Sequence, residues 1–186
     1  GDGRGAATHA RAQRFADVGT IAALAGQVEA IFSVCPPEFA VDVARQVAAT
    51  GFAGLYVDCN AISPANARVV RDIIGAGYVD GGIIGLPPRE PGTTRLYLSG
   101  PRAAEVQALF GQGALGAVVL NDDPVAASTL KMCYSAWTKG SAALLLNVRA
   151  LAEASGVGDD LQAEWDLSQP GLAARCDRAA TANAPK

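Results

Sequence analysis

Lys131 is the residue best placed by type and surroundings to move a proton. It sits in PVAASTLKMCYSAWTKGSAALLLNV, residues 124–148, where the only other charge is Lys139. The composition predicts one long helix, apolar around most of its circumference and therefore packed on several sides. An ammonium group resists desolvation, so a lysine there needs a partner or a task. Tyr134, Ser135 and Thr138 follow at i+3, i+4 and i+7 on one side of the helix. A lysine beside hydroxyls is equipped to give or take a proton. The competing reading is a snorkelling lysine, its stem on apolar surface and its amine in water.

Three other stations carry polar or permissive groups after strand-like runs. Asp58-Cys59-Asn60 follows the apolar run GLYVD at 54–58. Asn60 offers a donor and an acceptor. Ser63, with Pro64 behind it, can cap a helix whose N-terminus favours a nearby anion. A capping loop without a ligand explains the same residues. Gly81-Gly82 permits close backbone approach to a ligand, or equally a β-bulge or a tight crossing of elements. Pro36-Pro37 after VEAIFSV can wall a pocket or merely end a strand. Arg4, behind a Gly-containing turn, suits a phosphate or is simply exposed.

These stations need elements to hold them. Strands are expected at 28–34, 54–58, 78–85, 95–99 and 115–120. Helices are expected at 5–15, 20–26, 38–49, from Ser63 to Ala76, from Gly100 to Phe110, along the Lys131 segment to about Gly156, around Trp165 and from Pro170. The alternation up to residue 120 implies an α/β fold with a mostly parallel sheet, followed by a helical region. Ligands of such sheets bind at the carboxyl ends of strands. There lie Cys35-Pro36-Pro37, the loop from Asp58 to Pro64, and Gly81 to Gly85.

Composition narrows the function classes. The chain has 186 residues and a net charge of −3, which gives no basic footprint for nucleic acid. The best apolar run, 132–148, is broken by Lys139, Gly140 and hydroxyls, so no membrane span is expected. No signal peptide is expected at the start. Cys35, Cys59, Cys133 and Cys176 fit no zinc or Cys-x-x-Cys spacing, so no metal site is expected. They read as reduced thiols of a cytoplasmic protein, with Cys133 in a core. His9 is the only histidine, so a histidine triad or multi-histidine site would rest on it alone; it reads as an exposed helix position.

The succession SVCPP, VDCNAISP, YVDGGIIG, RLYLSG and ASTLKMCYSAWTKG resembles the β-hydroxyacid dehydrogenase and 6-phosphogluconate dehydrogenase superfamily. The closest likeness is to a branch with a distinctive helical C-terminal domain, and it runs from residue 1 to about 178. The family's Asp-x-Ser-Thr-x-Ser-Pro loop by substrate and nicotinamide matches Asp58, Asn60, Ser63 and Pro64, with Asn60 and Ala61 replacing two hydroxyls. Its Gly-Gly substrate loop matches Gly82 to Gly85 after Asp80, with Ile84 and Leu86 where Ser and Gly are common. Its general acid/base lysine corresponds to Lys131, and Tyr134 and Ser135 take the place of two asparagines. Val125 and Ala127 stand where glycines usually precede that lysine.

The resemblance implies an NAD(P)-dependent oxidoreductase acting on a small hydroxy acid or related carbonyl, its fold Rossmann-like. Residues 1–121 would be a partial NAD(P)-binding domain and 122–186 a partial helical domain. Asn60, Ser63, Gly82, Ile84, Gly85, Tyr134 and Ser135 would bind the substrate. Arg4, Val34, Cys35, Pro36, Pro37 and Asn60 would meet the cofactor, with NADP favoured over NAD because Arg4 matches an arginine that meets the 2′-phosphate. A homodimer through the helical region is also implied. The family opens with a strand and Gly-x-Gly-x-x-Gly, and the expectation is that this chain has no such motif. The expectation is of a longer protein, with a first βαβ unit before Gly1 and more helices beyond Arg175. The alternatives are a non-catalytic remnant or binding module, and an imine-reducing relative.

Overall fold

The computed structural model describes residues 5–13, 15–111 and 113–182. The expectations for Arg4 and for the His9 side chain fall outside them. The helices α1 (Ala6–Ala12) and α2 (Ile21–Ala25) lead into β1 (Ala30–Ser33), and a single 3-10 turn then opens α3 (Ala40–Ala49). Next come β2 (Leu55–Asp58), α4 (Pro64–Ile74), β3 (Tyr78–Gly85), β4 (Thr94–Ser99), α5 (Ala103–Gln107) and β5 (Leu115–Val119). The last helices are α6 (Ala126–Ala154), α7 (Gly158–Ser168) and α8 (Leu172–Ala182).

The five strands lie side by side in chain order. β1, β2 and β3 are parallel, β4 is antiparallel to β3, and β5 is parallel to β4. All four residues of β2 are buried, as a strand covered on both faces requires. Tyr56 and Tyr78 pack with Ala44, Val47, Ala67 and Val70 of α3 and α4 on one face. Val57, Val79, Leu96 and Leu98 pack with Ala103 and Val106 of α5 on the other.

The chain divides into two compact units, one up to Met132 and one from Cys133. The division therefore falls inside α6, not at the expected 121/122 boundary. In the second unit, Leu145 of α6, Trp165 of α7 and Cys176 of α8 form the core. One face of α6 suffices for that core. Trp137, Leu144 and Leu151 are exposed, contrary to a helix packed on several sides, and Cys133 is exposed rather than in a core.

Two further expectations are corrected. Gly81 to Gly85 form no loop; they are the last five residues of β3 and pair with Leu98 to Thr94 of β4. Residues 111–116 match Gly-x-Gly-x-x-Gly in letters, but Gly116 lies inside β5, so the run enters a strand. A dinucleotide fingerprint needs the reverse order, a strand first and a helix opening after the glycines.

Candidate active site at the carboxyl edge of the sheet

Ser33, Asp58, Asp80 and Ser99 are opposed in register on four neighbouring strands, β1 to β4. All four are buried, Asp58 at 1% exposure and Asp80 at 0%. Tyr56 and Tyr78 stand two residues earlier on β2 and β3, and the same side of each strand carries Asp58 and Asp80. The result is a polar row across the sheet just where β1 and β2 end. β3 continues beyond it.

The row is tied together by hydrogen bonds. Asn60 Nδ2 donates to Ser33 Oγ at 2.9 Å, and Cys35 N donates to Asn60 Oδ1 at 2.6 Å. Asn60 N in turn donates to Asp58 Oδ1 at 2.8 Å. Asn60 is 3% exposed, so its amide joins the loops after β1 and β2 rather than facing outward. Asp80 accepts from Ser128 N at 2.7 Å and Ser128 Oγ at 2.6 Å, and more weakly from Tyr78 OH and Ser99 Oγ at 3.3 and 3.4 Å. The Tyr56 hydroxyl and Asp58 Oδ2 are buried without a hydrogen-bond partner.

Two adjacent buried carboxyls resist ionising together. Burial, with the neighbouring Asp80 charge adding to it, pushes Asp58 up to about 6 against the lowering effect of the Asn60 hydrogen bonds. Burial also raises Asp80, even against four donors from Ser128, Tyr78 and Ser99. Burial and then the two carboxylates push the Cys59 thiol up to about 12, so it is no ready nucleophile.

The overhanging part of β3 receives the first turns of α6. A Cβ on Gly82 would lie 2.8 Å from Ala127 O and 3.4 Å from Lys131 Cβ, so the glycine permits the approach of the helix. Of the readings open to Gly82, a tight crossing of elements is the arrangement seen. Lys131 Nζ donates to Ile83 O at 2.5 Å, and the residue is half-buried. An amine has three protons to donate, so a bond to one carbonyl does not exhaust it.

The other candidates are dispersed. Ser63 Oγ accepts from Asn66 N and caps α4. Ile84 is buried at 5%, and Gly85 takes a positive φ of 134° next to Thr93 and Thr94. Val34, Pro36 and Pro37 are exposed and Cys35 half-buried at the end of β1. Tyr134 (47% exposed) and Ser135 belong to the second unit. A cleft of about 680 Å³ opens at the opposite, amino end of β1 and β2, beside Phe52, Gly54 and the Arg102–Glu105 ion pair, away from Lys131. Sequence reasoning gave Ser33, Ser99 and Ser128 no role and Asp80 only a place in a strand. The available signal was an aspartate inside the otherwise apolar run YVDGGIIG.

No family model matches the chain. An uncharacterized 28.5 kDa protein in the 7S RNA 5′ region of Methanothermus fervidus is 33% identical over 132 residues, 70% of this chain and 51% of that protein. The chain thus spans about half the length of this curated relative. Among solved structures, a conserved protein of unknown function, MTH1747, superposes with a TM-score of 0.74 at 27% identity, over 96% of this chain and 71% of that one. That protein is described as structurally similar to 3-hydroxyacid dehydrogenases. The present chain therefore shares the fold of a protein whose structure resembles 3-hydroxyacid dehydrogenases. A reductive aminase from Aspergillus terreus, in complex with NADPH and ethyl levulinate, shares the fold with a TM-score of 0.57 at 22% identity, over 87% of this chain and 60% of that one.

Proposed function

We propose that this dehydrogenase-like chain is part of an NAD(P)-dependent oxidoreductase acting on a small hydroxy acid or related carbonyl, with Lys131 as general acid/base. The observation that carries the reading is the placement of Lys131, whose amine is bonded to Ile83 O at the carboxyl edge of the sheet, where ligands of such folds bind. In the oxidative direction the amine takes the hydroxyl proton; in the reductive direction it returns one. The exposed residues Val34, Pro36 and Pro37 border the same edge.

The described residues do not by themselves hold a cofactor diphosphate. The Cys35 N–H is taken by Asn60, Pro36 and Pro37 have none, and no Gly-rich turn opens a helix after a strand. What this chain supplies is the acid–base group and the edge. In a protein of its relative's length, the diphosphate would be held by residues outside these 186. Titrating NADPH and NADH against this chain and against a longer form separates an oxidoreductase from a binding remnant: binding by neither form rejects the oxidoreductase. In a turning-over protein, Lys131→Met abolishes turnover and leaves cofactor affinity nearly intact; unchanged turnover rejects the role of the lysine.

Imine reduction is the second reading, favoured by the likeness to the reductive aminase; a panel of cyclic imines beside hydroxy acids decides it. For assembly we propose a homodimer through α6. Tyr134, Trp137, Leu144, Val148 and Leu151 are exposed at spacings of three, seven, four and three residues, an apolar stripe of the kind that packs on a second helix. Among the described residues no helix is long and apolar enough to cross a membrane. Four cysteines outside any disulfide accord with a reducing compartment, and we propose the cytoplasm.

A further inference from the structure

We propose that Asp80 is the positioning residue for Lys131, acting as an N-terminal cap delivered to α6 from the sheet. The inference rests on the reading of Lys131 as the acid–base group.

The first turn of a helix leaves backbone N–H groups without intrahelical partners, and a nearby side chain usually satisfies them. Before α6, Asp123 does part of this locally, its Oδ1 accepting from Val125 N at 3.0 Å. Ala126 N donates to Asp123 O at 3.2 Å, and the two donors after it are met from the sheet. Ala127 N donates to Ser99 Oγ at 3.0 Å, and Ser128 N donates to Asp80 Oδ2 at 2.7 Å. Ser128 Oγ adds a second bond to Asp80, at Oδ1. Asp80 thus grips one residue twice, through main chain and side chain. This fixes both the height of α6 over β3 and its rotation about its own axis.

Lys131 follows Ser128 by three residues, so it emerges from nearly the same side of α6 one turn on. Its amine meets Ile83, which follows Asp80 by three residues along β3. Between the two anchors Gly82 lies against Ala127 and the Lys131 stem. The same strand and helix therefore touch at three successive levels, and the lowest is the fully buried Asp80 side chain. Asp80 touches no ligand in this arrangement; it acts on the chemistry through the aim of Lys131. A misplacement on the scale of 1 Å in a catalytic group lowers rates by about 100-fold.

The chain holds three lysines, Lys131, Lys139 and Lys186, so a ¹³C-lysine-labelled sample gives a short list of side-chain cross-peaks, which Lys131→Met and Lys139→Arg assign. In Asp80→Asn the Lys131 cross-peak shifts or broadens while that of Lys139 stays in place. Ser128→Ala, which keeps the main-chain bond and removes the hydroxyl, shifts it less. A folded Asp80→Asn with the Lys131 peak unmoved overturns the proposal; if that variant does not fold, Ser128→Ala decides by the same criterion. In a turning-over protein, Asp80→Asn lowers kcat by roughly 10- to 100-fold at unchanged KM. The NMR outcome needs neither cofactor nor turnover. Failure of the acid–base reading shows separately, as turnover that survives Lys131→Met.

Discussion

Replacing Asp58 with asparagine makes the stability of the first unit respond less to pH, and the size of the effect follows from one carboxyl group. Its ordinary value is 3.8, and in the folded chain burial and the Asp80 charge lift it to about 6. A shift of about 2 units at 1.36 kcal/mol each is worth about 3 kcal/mol. The folded pKa is raised, so the folded state binds the proton more tightly than the unfolded chain. The associated stability is complete below about pH 4 and is lost as pH rises through about 6. The introduced amide would carry no charge at any pH, keep an oxygen for Asn60 N–H, and place an NH2 where Oδ2 has no partner. Any constant cost of fitting that NH2 cancels when one pH is compared with another. The unfolded carboxyl is already partly ionised at pH 4, so the stability of Asp58→Asn minus wild type should rise by about 2.4 kcal/mol between pH 4 and pH 8. Urea unfolding followed by near-ultraviolet circular dichroism of the tyrosines measures it. Tyr56, Tyr78 and Tyr97 lie in the first unit, whereas both tryptophans, Trp137 and Trp165, lie in the second. A difference that stays flat across this range, within about 0.5 kcal/mol, refutes the reasoning and places the Asp58 charge in a well-solvated site.

Gly82→Ala sets a methyl group 2.8 Å from Ala127 O and should destabilise the chain by about 1–3 kcal/mol, read as a lower urea midpoint. Asn60→Ala removes the acceptor of the Cys35 amide and the donor to Ser33; amide exchange at Cys35 should accelerate at a cost of about 1–3 kcal/mol. Leu144→Glu puts a charge in the exposed stripe of α6 and should turn a concentration-dependent dimer into a monomer in sedimentation at two loadings. A wild-type chain that is already monomeric at high loading rejects the dimer.

The order of elements was readable because runs such as YVDGGIIG are bounded by Gly, Pro and polar residues; β3 runs from Tyr78 to Gly85, as expected from the sequence. The direction of β4 was not read from its own residues, because strand periodicity is the same in either sense. The available clue was length: only eight residues separate Gly85 from Thr94, too few for a parallel crossover. Lys131 was legible as a costly lysine on an apolar helix. The buried polar row was not, because Ser33, Asp58, Asp80 and Ser99 are far apart in sequence and meet only through pairing register. The burial of α6 was overestimated because composition reports how apolar a helix is and not how many neighbours cover it.

The polar row also bears on how the sheet reaches its pairing. Sliding one strand by a single residue against its neighbours would turn its aspartate or serine toward the opposite face, among Leu55, Val57, Val79 and Leu96. An unpaired polar group there costs roughly 1–3 kcal/mol, and a carboxylate more. A slip by two residues keeps the face but sets Asp58 or Asp80 opposite a tyrosine position and empties the row. Buried groups that weaken the finished fold at neutral pH thus act during folding as a proofreading device. An out-of-register sheet carries that penalty once its faces are covered, so the row specifies the pairing.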